Sequence, residues 1–517
     1  MKHKRAFKWF ATATSVVVLV AATAAWMYYQ HLNHNLRKGQ RSSGRTTVHK
    51  VTPDAAGRTP VTILLIGSDS RNSADDVALG GAHDDAGRPG LADVQMLLHL
   101  SADRRHAAIV SVPRDTRVDI PECTDPKTGE KYPATNDIVN ESLARGGPGC
   151  TLATLQNLTG VYIDHWMMVD FAGVVRMADA IGGVDVCVKQ NVWDRPTPDL
   201  PRGGSGLKLT AGTHTIEGEQ ALQWLRTRDS FGSDLGRAQA QHMYLASMVR
   251  QLRSRGVFGD PARLMDLAES ATRSLQVSEE IGSVAQLYDL ATQLQSVPPD
   301  RVTMTTMPNI ADPQDDNHLL PDPKDAPKVW AMLRDDVPFD ANRDNSPASP
   351  SASASAPAPA SASASAQPSP SPSGAASPDP ARIAVSVVNG TAGDDGQPVP
   401  GRATDIASAL ADKGFTKATA SDTVTSRQVT ALLYPADAGD QGKAQALAVA
   451  NSLHLPPSSV QPSADAARIT LAIGSDWPSG TDYGSTVPAA GSVPSSADVL
   501  RGSDDKACMD VYKPYQW

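Results

Sequence analysis

Cysteine is scarce in this chain, four among 517 residues, and no two are spaced as a CxxC pair. That argues against a structural zinc site. Basic charge is not in excess: 47 Lys and Arg stand against 56 Asp and Glu, a formal net charge of −9. With a long apolar run near the N-terminus, this balance argues against a nucleic-acid partner, which calls for a basic face. There is no HExxH metal motif and no Ser-His-Asp order of the hydrolase kind. Self-similar repeats are missing apart from one Ser/Ala/Pro stretch.

Residues 9–30 carry no charge, and their centre reads Ser-Val-Val-Val-Leu-Val-Ala-Ala. A span of about 20 residues crosses a bilayer core. Lys2, Lys4, Arg5 and Lys8 precede the run, and Trp9, Trp26, Tyr28 and Tyr29 stand where interface aromatics belong. Bulky residues replace the small-residue cleavage site of a secretory leader, so the segment reads as an uncleaved signal-anchor. Arg37, Lys38, Arg41 and Arg45 on the far side make the positive-inside rule close to a tie. Disulfide-capable cysteines favour a domain outside the membrane. Cys123 and Cys150 flank a Pro/Gly-rich excursion and are expected to pair, whereas Cys187 and Cys508 lie in different regions and their pairing stays open.

Composition divides the chain into a cytoplasmic tail (1–8), a membrane helix (9–30), a polar stalk (31–58) and a globular domain (59–340). Beyond it come a Ser/Ala/Pro linker (341–380), a small second domain (381–477) and a Gly/Ser/Pro-rich tail (478–517), expected to be flexible. The linker composition cannot bury enough apolar surface to offset its ordering entropy. Deleting 341–517 is therefore expected to leave the first domain folded, unless Cys187 pairs with Cys508 across the linker.

The first domain reads as α/β. Val61-Thr-Ile-Leu-Leu-Ile66, Val94-Gln-Met-Leu-Leu-His-Leu100 and Ala107-Ala-Ile-Val-Ser-Val112 are short apolar runs with the pattern of buried strands. Helical spacing follows at Leu152, Leu155 and Leu158, at Phe171, Val174, Val175, Ala178 and Ile181, and from about Leu235 to Leu252. These stripes are most simply core faces; they would also suit the wall of a lipid tunnel.

Four arginine-bearing stretches occupy the same region: Gly67-Ser-Asp-Ser-Arg71, Val112-Pro-Arg-Asp-Thr116, Arg226-Thr-Arg228 and Ser233-Asp-Leu-Gly-Arg237-Ala-Gln-Ala-Gln241. In an acidic protein such a set points to a local anion site, since the guanidinium fork grips phosphate bidentately and stays charged. Arg226 and Arg228, two apart, would share a side of an extended segment. Arg237 and Gln241, four apart, would share a helix face, with Asp234 at the N-cap position. Asp69 and Asp93 offer hard oxygen ligands for a divalent cation that bridges phosphates. Each arginine alone reads more simply as a surface ion pair; the set suggests a diphosphate pocket.

The ordered motifs from Ile63-Leu-Leu-Ile-Gly-Ser-Asp-Ser-Arg71 through Ala92-Asp-Val-Gln-Met96, Val110-Ser-Val-Pro-Arg-Asp-Thr116, Asn140 with Gly146-Gly-Pro148, Glu217-Gly-Glu-Gln-Ala-Leu222 and Arg226-Thr-Arg228 to Arg237 resemble the catalytic domain of the LytR-CpsA-Psr family. The resemblance implies a three-layer αβα domain that moves a glycopolymer from a polyprenyl-pyrophosphate carrier onto peptidoglycan, forming a phosphodiester. It implies Mg2+ at Asp69 and Asp93, and pyrophosphate contacts from Arg71, Arg114, Arg226, Arg228, Arg237 and Gln241. Arg114, Asp115, Arg226, Arg228 and Asp234 become catalytic candidates, with Asp115 or Asp234 as proton acceptor. Two positions depart from the family pattern, Ile138 where a Lys is frequent and Ala240 where an Arg is frequent. Ile383-Ala-Val-Ser-Val-Val-Asn-Gly390 and Ala467-Arg-Ile-Thr-Leu-Ala-Ile-Gly474 resemble the LytR C-terminal domain, a small α/β unit without catalytic residue types, read as a binding module of unknown ligand. Two alternatives stay open: a polyprenyl-diphosphate hydrolase using the same pocket, and a non-enzymatic wall-binding or regulatory membrane protein.

Overall fold

The computed structural model describes residues 2–517 apart from 69–89, 255–259, 342–377 and 393–396 and the positions 47, 52, 54–56, 199, 202, 233, 428, 457, 458, 486, 505 and 506. Most of the expected linker thus lies outside the described residues. The chain forms two compact units, Met1–Asp340 with Ser492–Trp517, and Ala341–Gly491.

An eight-stranded mixed sheet organises the first unit. Its spatial order is Arg37–Gly39, Leu275–Ser278, His165–Val169, Val61–Ser68, Ala92–Leu100, Ala107–Ser111, Val302–Thr306 and Val499–Arg501. Val61–Ser68 is central and buried on both faces, which explains its unbroken apolar sequence. Because successive side chains alternate across a strand, Leu64, Ile66, Leu97, Ala108 and Val110 join one core with helices Pro148–Thr159 and Ala326–Arg334. Leu65, Met96, Leu98, Ile109 and Met304 join the opposite core with Leu245 and Ala246 of helix Asp234–Ser254. The result is a three-layer αβα arrangement.

The structure corrects the sequence reading at both ends of this unit. Residues 31–58 were expected to form a stalk, yet Leu32 and Leu36 are buried, Arg37–Gly39 is the edge strand, and Ser43 donates Oγ–H to the Gly146 carbonyl at 2.7 Å. An edge strand needs only backbone pairing on one side, so polar residues suffice. The N-terminal helix spans Lys2–Asn35, beyond the expected 9–30, and its stretch Thr12–Asn35 is long and apolar enough to fit a single-pass membrane anchor.

The tail was expected to be flexible, yet Val499–Arg501 pairs antiparallel with Val302–Thr306, and Met509, Val511 and Tyr515 are buried in a core with Trp224 and Phe231. Cys187 is disulfide-bonded to Cys508, and Cys123 to Cys150. The Met509 N–H donates to the Cys187 carbonyl, and the Lys189 N–H to the Met509 carbonyl, each at 2.9 Å.

The second unit carries a five-stranded sheet ordered Lys417–Val424, Ala384–Asn389, Ile469–Ile473, Ala431–Pro435 and Val460–Ser463, with helices Arg402–Asp412 and Gly439–Ser452. Its core extends past residue 477 to Tyr483 and Val487.

Candidate functional site

Several strands end at one edge of the large sheet. Val61–Ser68 and His165–Val169 are parallel, and Ala92–Leu100 runs antiparallel to Val61–Ser68 and to Ala107–Ser111. The carboxyl ends of Val61–Ser68, Ala107–Ser111 and His165–Val169 therefore lie at the edge where Ala92–Leu100 begins. A cavity of about 650 Å³ opens there. Gly67 is required at its floor: a Cβ would stand 2.9 Å from Cβ of Val94, which also lines the cavity.

Arg114 enters on a closed turn. The Thr116 N–H and Oγ–H both donate to the Pro113 carbonyl, and the Asn140 N–H donates to the Arg114 carbonyl. Nη1 of Arg114 then reaches Oδ1 of Asp93 at 2.8 Å, and its Nε lies 3.3 Å from Oδ2 of Asp115. Arg226, Arg228, Arg237 and Gln241 line the same cavity. Asp115 is not a lining residue and meets the site through Arg114. Asp69 and Arg71 lie outside the described residues. Asp234 is the first residue of the helix Asp234–Ser254, and its side chain is not described.

Arg226 and Arg228 are not in an extended strand, as their spacing suggested. Arg226 closes helix Gly218–Arg226, and Thr227 turns the chain out of it. A small polar network holds this turn, and composition gave no sign of it. Asp194, buried at the cavity wall, accepts from Ser230 Oγ at 2.5 Å and from the Ser205 N–H at 2.6 Å. Ser205 Oγ lies 2.7 Å from Thr227 Oγ1, which donates to the Gln223 carbonyl. The tail adds the Tyr512 N–H, which donates to the Ser230 carbonyl at 2.8 Å.

The rest of the wall is greasy, with Val174, Met177, Leu222, Leu225, Met248 and Leu275. Arginines and apolar side chains thus face one space, a combination suited to an amphiphile with an anionic head. Burial pushes the Tyr244 hydroxyl well above its ordinary value, so it stays protonated. No group of three or more His, Cys, Asp or Glu gathers among the described residues. Of the two expected metal ligands, Asp93 is described and offers a partly exposed carboxylate at the cavity. That still fits magnesium, which is commonly held by one or two carboxylates with substrate phosphates and water.

The profile of the LytR_cpsA_psr family matches residues 25–334, more than half of the chain. The chain belongs to this family. A second profile, described as LytR cell envelope-related transcriptional attenuator, matches residues 382–477. Among relatives, the chain is 33% identical over 269 residues to the cell wall biosynthesis protein LcpA of Corynebacterium glutamicum, covering 48% of this chain and 49% of that one. It is 25% identical over 299 residues to the polyisoprenyl-teichoic acid–peptidoglycan teichoic acid transferase TagT of Bacillus subtilis, covering 57% and 84%. The crystal structure of B. subtilis TagV matches with a TM-score of 0.41 at 21% identity, covering 54% of this chain and 96% of that one. The match spans about half the length of the C. glutamicum relatives LcpA and LcpB. Ala240 is fully buried, and its carbonyl accepts from Trp224 Nε1–H at 2.9 Å.

His242, next to Gln241, gives the site region a pH signature. Its Nε2 lies 2.7 Å from Ser111 Oγ, and burial, opposed only weakly by Asp498, holds its pKa down at about 4. The unfolded chain binds the proton near pH 6.5, so it takes up protons that the folded state refuses as pH falls. The contribution of His242 to stability is therefore flat above pH 6.5 and is lost between pH 6.5 and 4, by roughly 3 kcal/mol. His242→Gln should flatten that part of the curve in urea denaturation across pH; an unchanged acid slope would contradict the assignment.

Proposed function

We propose that this protein transfers a secondary, anionic cell-wall glycopolymer from a polyprenyl-diphosphate carrier to peptidoglycan, leaving a phosphodiester. One observation carries the reading: a single cavity sets Arg114, Arg226, Arg228 and Arg237 beside an apolar wall of Val174, Met177, Met248 and Leu275. A diphosphate with an isoprenoid tail has those two halves. The TagT relative, whose name specifies a polyisoprenyl-linked donor and a peptidoglycan acceptor, agrees with it.

In this mechanism the arginines hold the diphosphate and stabilise charge that builds on the leaving polyprenyl phosphate. A muramic acid hydroxyl oxygen attacks the glycan-bearing phosphorus. The new P–O bond forms as the bond to the bridging oxygen breaks, and polyprenyl phosphate leaves. The hydroxyl proton passes to a carboxylate, either Asp229, which lines the cavity, or Asp234 at the first position of the helix Asp234–Ser254. Asp115, behind Arg114, orients the guanidinium. Asp93, with Asp69, would hold magnesium, which when bound supplies further neutralisation of the diphosphate. The domain stands on the extracytoplasmic side, where disulfides persist and the wall acceptor lies, and the N-terminus is cytoplasmic.

The test is incubation of the full chain in detergent with a lipid-diphosphate-linked glycan, peptidoglycan oligomers and magnesium. A glycan–peptidoglycan adduct is expected; free phosphate-ended glycan as sole product would make the protein a hydrolase. Chelation should lower the rate, and Asp93→Asn should raise the magnesium concentration needed for half-maximal turnover. Full activity in chelator would remove the metal from the account.

A further inference from the structure

The membrane helix does not leave the bilayer and then wander. Tyr28 Oη–H donates to the Met265 carbonyl at 3.3 Å, His31 Nε2 lies 3.0 Å from Glu269 Oε1, and Asn35 Nδ2–H donates to the same oxygen at 3.4 Å. Advancing residues of Lys2–Asn35 thus meet advancing residues of Pro261–Ser274, so the two helices run side by side in the same direction. Their strands continue the register: Arg37 pairs with Gln276 and Gly39 with Ser278, in parallel.

Both strands start at the cavity edge of the sheet. Leu275 pairs with Val169, and both line the cavity. Arg37 reaches across to Oδ2 of Asp170, another lining residue, at 3.2 Å. The helix pair therefore rises from the membrane directly to the edge that carries the arginines, and the opposite edge, with the turn before His106, points away.

Exposure marks where lipid gives way to protein. Trp26 and Met27 are about three-fifths exposed, while Leu32 and Leu36 are 4% and 5% exposed. Residues 9–28 make a span of about 30 Å, the thickness of a bilayer core. On the neighbouring helix Pro261–Ser274, Met265 is 53% exposed beside Tyr28. From Tyr28 to Leu36 the helix climbs about 12 Å.

We propose that this helix pair is a rigid pedestal that docks the first unit on the bilayer surface. Met265 rests in the interfacial layer, and the cavity edge faces the lipid about 12 Å above it. The occupant of this face is the bilayer to which the helix Lys2–Asn35 already commits the chain. Given the donor proposed above, a carrier lipid would reach the cavity with only the first part of its tail drawn out of the membrane.

The test reads position and needs no activity, so it stands or falls separately from the transfer reaction. Full-length Met265→Cys, labelled with a bimane under non-reducing conditions, is reconstituted in phosphatidylcholine vesicles with and without brominated chains. Ala262→Cys, exposed on the same helix and one turn nearer the membrane, is the second probe. Arg105→Cys, exposed in the turn at the opposite edge, is the reference. The expected result is loss of more than half of the emission at 262 and 265 and none at 105. Equal, negligible quenching at all three positions would overturn the proposal, as would quenching confined to 105.

Discussion

Arg114→Ala is expected to lower transfer by roughly 100- to 1,000-fold, about 3 to 4 kcal/mol of lost transition-state stabilisation, with the fold intact. The turn that presents Arg114 is closed by backbone and Thr116 contacts that do not involve the guanidinium. What disappears is a cation held between Asp93 and Asp115 and aimed at the cavity. Asp93 then faces the diphosphate without that counter-charge, so the repulsion adds to the missing contact. Arg114→Lys should restore only part of the rate, since an ammonium cannot grip two oxygens in a fork. Arg228→Ala belongs to the same class, because its turn is held by Asp194 and Ser205 whatever side chain follows Thr227. Steady-state turnover alongside a thermal melt checks both; near-normal turnover would remove the arginine rim from the chemistry.

The second large effect is on stability. A chain ending at residue 491 is expected to be unfolded or barely folded at physiological temperature. It loses an edge strand, the Cys187–Cys508 disulfide and three buried side chains, Met509, Val511 and Tyr515. The disulfide contributes about 2–5 kcal/mol and each buried side chain roughly 1.5–3, against a total stability of about 5–15. By contrast, excising 342–491 and joining Ala341 to Ser492 should keep a cooperative melt close to that of the full chain. The splice is short, since a Cβ on Gly491 would lie 2.5 Å from Cα of Ala341. The second unit is thus an insertion within the first, not an appendage after it. Calorimetry on the two variants decides: a stable chain ending at 491, or a collapsed splice, would contradict this reading.

What sequence made legible was what apolar runs and charge can encode. The central strands showed because both faces of each are buried, and Arg114, Arg226, Arg228, Arg237 and Gln241 showed because phosphate chemistry favours those side chains. The misreadings have physical causes. Arg226 and Arg228 are two apart both in a strand and across a helix end, and spacing does not separate the two. Arg37–Gly39 is polar because an edge strand holds by backbone pairing. The tail is rich in Gly, Ser and Pro, which masks three buried residues spaced along it and a cysteine partner 321 positions away. Asp194 was invisible for another reason: a buried carboxylate that organises a turn has no periodicity at all.

The proposed transfer requires one cavity to take both halves of the donor. The most direct measurement is a crystal structure of the protein with a short-chain polyprenyl diphosphate and magnesium. Phosphate oxygens should lie within hydrogen-bonding distance of Arg114 and of at least two of Arg226, Arg228 and Arg237, with the isoprenoid against Val174, Met177 and Met248. A diphosphate bound elsewhere, or a tail pointing away from that wall, would contradict the account.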